Sequence, residues 1–63
     1  MIELWEMSDG RIWQVTHDFG QVRVSSLLSD NALSMIGVFD NEHDVVRFAA
    51  DYLELSVTFK VRG

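Results

Sequence analysis

The sequence predicts an α+β domain occupying residues 1–63: an antiparallel four- to five-stranded sheet with one amphipathic helix packed on one face, in the order β-β-β-β-α-β. Three observations carry this. Between Asn41 and Glu54 the apolar residues Val45, Phe48, Ala49, Tyr52 and Leu53 recur at offsets of three, four, seven and eight, the mark of a buried helical stripe widened by Val46. The last residues alternate Val57, Phe59, Val61 against Thr58, Lys60, Arg62, which is strand periodicity. Near the N-terminus an Asp9-Gly10 pair sits between two apolar runs, a hairpin signal because both positions tolerate positive φ.

In chain order, residues 2–7 and 11–16 form the first hairpin. With Asp9-Gly10 as a two-residue loop, Ser8 pairs with Arg11, Glu6 with Trp13 and Leu4 with Val15. One face then gathers Ile2, Leu4, Trp13 and Val15, while Trp5, Met7 and Ile12 fall on the other. His17 to Gly20 reads as a four-residue turn, returning residues 21–25 as a third strand with Val22 opposite Val15 and Val24 opposite Trp13. Residues 25–34 are rich in Ser, Asp and Asn and read as a loop with a helical turn at Leu27-Leu28. Residues 33–39 form a fourth strand in which Gly37 marks a bulge or a close approach of backbone.

Asp40 or Asn41 caps the helix that follows, and Glu42 and Asp44 suit the positive end of its dipole. Its end near Leu53 has no glycine to mark it. A final strand begins near Ser56. If Val57, Phe59 and Val61 turn toward the helix, Lys60 and Arg62 share the open sheet face with Trp5, Ile12 and Arg23.

Size and charge narrow the function. A 63-residue chain is one domain, and without cysteine it has neither a disulfide nor a thiolate zinc site to staple it. Ten Asp plus Glu against five Lys plus Arg give a formal charge of −5, which disfavours direct nucleic-acid binding and favours a basic protein partner. The acidic N-terminus differs from a signal peptide and no apolar run reaches a membrane span, so a cytoplasmic protein is expected. No nucleophile elbow, phosphate loop or HExxH is present, which points away from an enzyme and supplies no cofactor or catalytic residue. His17 and His43 lack a metal-binding spacing and read as solvated side chains.

What remains is surface. At helical spacing Asp40, Asp44, Arg47, Asp51 and Glu54 lie opposite the apolar stripe, four carboxylates against one cation. The ordinary reading is the solvated side of an amphipathic helix; the functional reading is a ridge for a basic groove. Acids one turn apart stand about 5 to 6 Å from one another, near the spacing of duplex phosphates. With Glu42 and an aromatic anchor, Trp5, these residues form the candidate partner-binding set.

A small acidic chain whose strands lead into an acidic helix over Asp40–Leu53 and a closing LSVTFKVRG strand resembles phage-encoded host-takeover proteins. The nearest in layout are anti-CRISPR proteins and, more weakly, phage inhibitors of bacterial RNA polymerase. That resemblance implies a monomeric, stoichiometric inhibitor that docks on the basic nucleic-acid-binding surface of an effector complex in a bacterial cytoplasm and blocks DNA. Two other readings use the sheet: a single-stranded nucleic-acid platform formed by Trp5, Ile12, Arg23, Lys60 and Arg62, and homodimerisation through the apolar face or an open edge.

Overall fold

A computed structural model describes residues 1–62 and contains the expected order: β1 (Ile2–Met7), β2 (Ile12–Asp18), β3 (Gln21–Leu27), β4 (Leu33–Phe39), α1 (Glu42–Leu53) and β5 (Val57–Arg62). The five strands form one sheet in the order β4-β3-β2-β1-β5, every neighbouring pair antiparallel. Strands β4 and β5 therefore run parallel at opposite edges. The helix between them must return the chain to the starting end of the sheet and cross from one edge to the other. A 12-residue helix is about 18 Å long, close to the span of the strands beneath it.

The first hairpin differs from the sequence reading by one residue. Met7 N–H donates to the Arg11 carbonyl at 2.8 Å and Gly10 N–H to the Met7 carbonyl at 2.9 Å, so the loop is Ser8-Asp9-Gly10 with Gly10 at φ 88°. A three-residue loop of this kind is a tight turn closed by a residue in the left-handed region. Because side chains alternate with period two, the extra residue turns β1 over. Trp5 now pairs with Trp13 and faces the helix with Glu3 and Met7, while Ile2 and Leu4 point away. The aromatic and thioether surface of Trp5 and Met7 exceeds that of Ile2 and Leu4, so the hydrophobic effect favours this register.

The second hairpin is tighter than expected. Asp18 pairs with Gln21 around a two-residue loop, Phe19 at φ 48° and Gly20 at φ 75°. Val24 lies opposite Val15, and Val22 opposite His17. This departure is a slip of two residues, so both valines stay inward as predicted.

The 25–34 stretch is not a long loop with a helical turn. β3 continues to Leu27, and Ser29-Asp30-Asn31 repeats the first hairpin's loop bond for bond: Leu28 N–H to Ala32 carbonyl, Asn31 N–H to Leu28 carbonyl, and Ala32 N–H to Asp30 Oδ1. The last matches Arg11 N–H to Asp9 Oδ1, and Asn31 at φ 68° takes the place of Gly10. In β4 the pairing jumps from Val24↔Gly37 to Ser25↔Met35, so Ile36 is the extra residue of a bulge beside Gly37, as the sequence suggests.

Asn41 caps the helix by accepting from Asp44 N–H at 2.9 Å. At the other end Glu54 adopts the left-handed conformation (φ 55°, ψ 38°), and Leu55 N–H closes onto the Ala49 carbonyl. The inward stripe is narrower than predicted. Val45 and Ala49 are fully buried over Trp5, Met7, Trp13, Val15, Val22 and Val24, but Tyr52 is 77% exposed and Leu53 is also exposed. Phe48 and Tyr52 lean toward the β4 edge, where the Phe39 ring meets Phe48 at a tilt of 56° with centroids 5.4 Å apart.

The last strand keeps Val57 against the core as expected, but beyond it the strand is turned relative to expectation. Lys60 pairs with Trp5 and Arg62 with Glu3 on the helix side, whereas Phe59 and Val61 join Leu4 and Glu6 on the open face. Thr58 is bulged out between Phe59↔Glu6 and Val57↔Met7, its hydroxyl donating to the Glu6 carbonyl.

Candidate interaction site

Four surfaces carry polar or exposed apolar groups that demand an account. The first is the outer face of α1 and its two ends. Of the acids read as a row, Asp44 and Asp51 lie on the helix, Asp40 precedes the Asn41 cap and Glu54 is the left-handed residue that ends it; Asp40, Asp51 and Glu54 are exposed and Asp44 is half-exposed. Among the described residues no ion pair engages any of the four. Arg47, the lone cation among them, turns to His43 Nε2 at 3.3 Å. The row is therefore a field of unneutralised negative charge, strongest for a partner that brings its own cations.

Glu42 leaves that row. It is half-buried, ion-paired with Lys60, and 3.8 Å from His17 Nε2 through its other oxygen. Here it joins a second cluster at the head of the helix. Glu3, 1% exposed, accepts from His17 Nε2 at 2.8 Å, and Arg62 Nε lies 3.1 Å from its second oxygen. That oxygen has no partner in hydrogen-bonding geometry, so Arg62 holds it by charge alone. Burial raises the Glu3 pKa, but the hydrogen bond from His17, the charges of Arg62 and His17 and the Trp5 indole lower it further, leaving it below the ordinary 4.5. Lys60 sits 4.4 Å over the Trp5 ring, a cation–π contact that places the ammonium beside Glu42.

One carboxylate oxygen each from Glu3 and Glu42 and the His17 imidazole lie within 4.8 Å of one another, a set with the chemistry to ligate a divalent cation. Lys60 and Arg62 already balance both acids, and an ion would have to displace them. The cluster ties β1, β2, β5 and the helix start together.

No family model, curated protein or solved structure matches this chain. Function is therefore read from these surfaces alone.

Trp5 cannot be the partner anchor proposed from the sequence: it is 0% exposed, enclosed between the sheet and the helix, because the first hairpin's loop has three residues. The nucleic-acid platform fails for the same reason. Of its five residues only Ile12 and Arg23 share the open face, since Lys60 and Arg62 lie on the helix side against Glu42 and Glu3.

Two features escaped the sequence reading. Phe19 stands 98% exposed at the tip of the β2–β3 hairpin, in a left-handed conformation that a bulky side chain rarely adopts. It rims a cleft of about 500 Å³ with His17, Asp18, Asp40 and Glu42, so an aromatic ring projects beside the acidic helix start. The two-residue count from Asp18 to Gln21 was the available signal. The other is the make-up of the open sheet face: in place of the Trp5 and Met7 read there with Ile12, it exposes Ile2, Leu4, Leu33, Met35, Val38, Phe59 and Val61. No helix among the described residues is long and apolar enough to cross a membrane.

Proposed function

We propose that the chain is a non-enzymatic protein-binding inhibitor, anti-CRISPR-like in action, working in the cytoplasm of a bacterial host. Its acidic helix face docks on the basic nucleic-acid-binding surface of an effector complex and blocks DNA from entering. The observation that carries this reading is the row Asp40, Asp44, Asp51 and Glu54, outward and without intramolecular cations. Unpaired carboxylates at about one-turn spacing offer lysines and arginines what a phosphate backbone offers them. Charge gives steering and encounter rate, and affinity needs a desolvated anchor besides. Phe19 supplies one at the Asp40 end, replacing the buried Trp5.

A competition experiment tests this. The chain is titrated into a purified CRISPR effector and its labelled DNA target, and DNA retention is followed by gel shift. Wild type is expected to displace DNA, less well as salt rises from about 50 to 200 mM. D44K/D51K, both on the solvent side, is expected to fold normally and to lose displacement. Equal displacement by wild type and the double variant, or none by wild type, overturns the reading.

A further inference from the structure

We infer that the open face of the sheet seats a second copy of this chain, forming a symmetric dimer with the two sheets face to face and a helix on each outer side. The face is a three-row lattice fixed by the strand register. One row runs Leu33, Leu27, Ile12, Glu6, Phe59; the next Met35, Ser25, Gln14, Leu4, Val61; the third Val38, Arg23, Thr16, Ile2. Aliphatic, thioether and phenyl groups dominate it, with Met35 63% and Phe59 61% exposed. Leu4, Ile12, Leu27, Phe59 and Val61 with Glu6 line a concave patch of about 290 Å³.

Size suits this occupant. Five strands about 4.8 Å apart and about 20 Å long give a footprint near 500 Å² per copy, so face-to-face pairing removes roughly 1,000 Å², the threshold of a specific interface. The net charge of −5 opposes it only weakly, because the unpaired acids of the helix lie on the other side of the sheet, where salt screens them, and the face holds few charges. Asp18 sits at its rim. Within the three rows the charged residues are Glu6 and Arg23.

Those two residues point to self-recognition. Glu6 lies one strand and one row from Gln14 at the centre, and Arg23 lies one strand and one row away in the opposite sense. A twofold axis in the plane of the interface, through Gln14 and perpendicular to the line from Glu6 to Arg23, sets each Glu6 over Arg23 of the second copy. The two sheets then cross steeply, nearer the orthogonal than the aligned class of sheet packing. Leu33 falls near the axis and meets its own counterpart. Such a dimer displays two acidic helices on opposite outer faces, a bivalent version of the surface assigned above, although the pairing itself does not depend on that assignment.

Sedimentation equilibrium over a concentration series tests the inference, with tryptophan emission and circular dichroism as controls for folding. Wild type is expected to approach twice the 7.2 kDa chain mass at about 100 μM and to dissociate on dilution. M35E is expected to remain monomeric. E6R and R23E, which each place like charges together across the axis, are expected to weaken dimerisation tenfold or more, and E6R/R23E to restore it. A monomeric wild type at millimolar concentration overturns the inference, as does a double variant no better than either single one. A face protected from hydrogen exchange only when a CRISPR effector is added would assign it to that partner instead and likewise overturn the dimer.

Discussion

Glu3 occupies a position that alternation assigns to the core, between Trp5 below it on β1 and Val15 across on β2. A buried carboxylate is tolerable only if its charge is met, and here His17 and Arg62 meet it. Its pKa is lowered on folding, so the folded state binds this proton more weakly than the unfolded one. The stabilisation it contributes is fully present above the ordinary value of 4.5 and is lost as pH falls through the lower folded value. Glu3→Gln is expected to reduce stability at pH 7 by about 1–2 kcal/mol and to flatten the acid limb of a urea-midpoint profile measured down to pH 3. An unchanged acid limb would mean that other carboxylates govern it. Phe19 presents the opposite case, a residue whose local conformation is unfavourable and whose side chain packs on nothing, being 98% exposed at φ 48°. Strain of that kind persists where function requires it. Phe19→Asn suits the left-handed turn and is expected to raise stability by about 1 kcal/mol. A lower urea midpoint would show that the ring has an intramolecular role.

At the scale of elements, loop length decides more than loop composition. Asp9-Gly10 correctly announces a hairpin, yet the pair does not say whether the loop has two residues or three, and that parity determines which face of β1 is buried. Element order, the helix with its Asn41 cap, β4 and its Gly37 bulge were legible because each rests on local pattern. The inward faces of β1 and β5 were not, because they depend on one-residue offsets that only packing resolves. From those offsets follow both the burial of Trp5 and the transfer of Lys60 and Arg62 to the helix side, which dissolved one candidate site. The exposure of Asp51 and partial exposure of Asp44 were legible, because helical periodicity fixes them without reference to the sheet. The missing stop signal of α1 has a physical counterpart as well. The chain ends its helix with Glu54 in a conformation that favours glycine. Glu54→Gly is therefore expected to stabilise the fold by about 0.5–1 kcal/mol, once relief of the left-handed strain is set against glycine's greater freedom when unfolded. Thermal and chemical denaturation both report this, and destabilisation would imply that the Glu54 side chain contributes more than its backbone strain.

For the molecule as a whole, the inner face of the sheet and the helix are each unviable alone. The helix has 12 residues, too few for appreciable helicity in water without a partner surface, and it contributes Val45 and Ala49 to the sealed interior. The sheet has Trp5, Trp13 and Met7 to hide, and among the described residues α1 and Leu55 just after it cover that face. Ala49 matters here because it is 1% exposed within the buried cluster, where its small side chain lets the helix sit close to the sheet and a larger or charged group would hold it off. A domain of 63 residues has a total stability of only about 3–9 kcal/mol, so loss of this contact is decisive. Helix and sheet should therefore unfold in one step: the far-ultraviolet helical signal and the emission of the two buried tryptophans are expected to give superimposable urea transitions. Ala49→Asp buries an unpaired charge at the same contact and is expected to cost about 3–5 kcal/mol, shifting both signals together to low denaturant or removing the folded state altogether. If instead the helical signal is lost in Ala49→Asp while tryptophan emission stays blue-shifted, the sheet holds its core without α1. The acidic helix would then be a detachable element, free to dock on a partner separately from the strands beneath it.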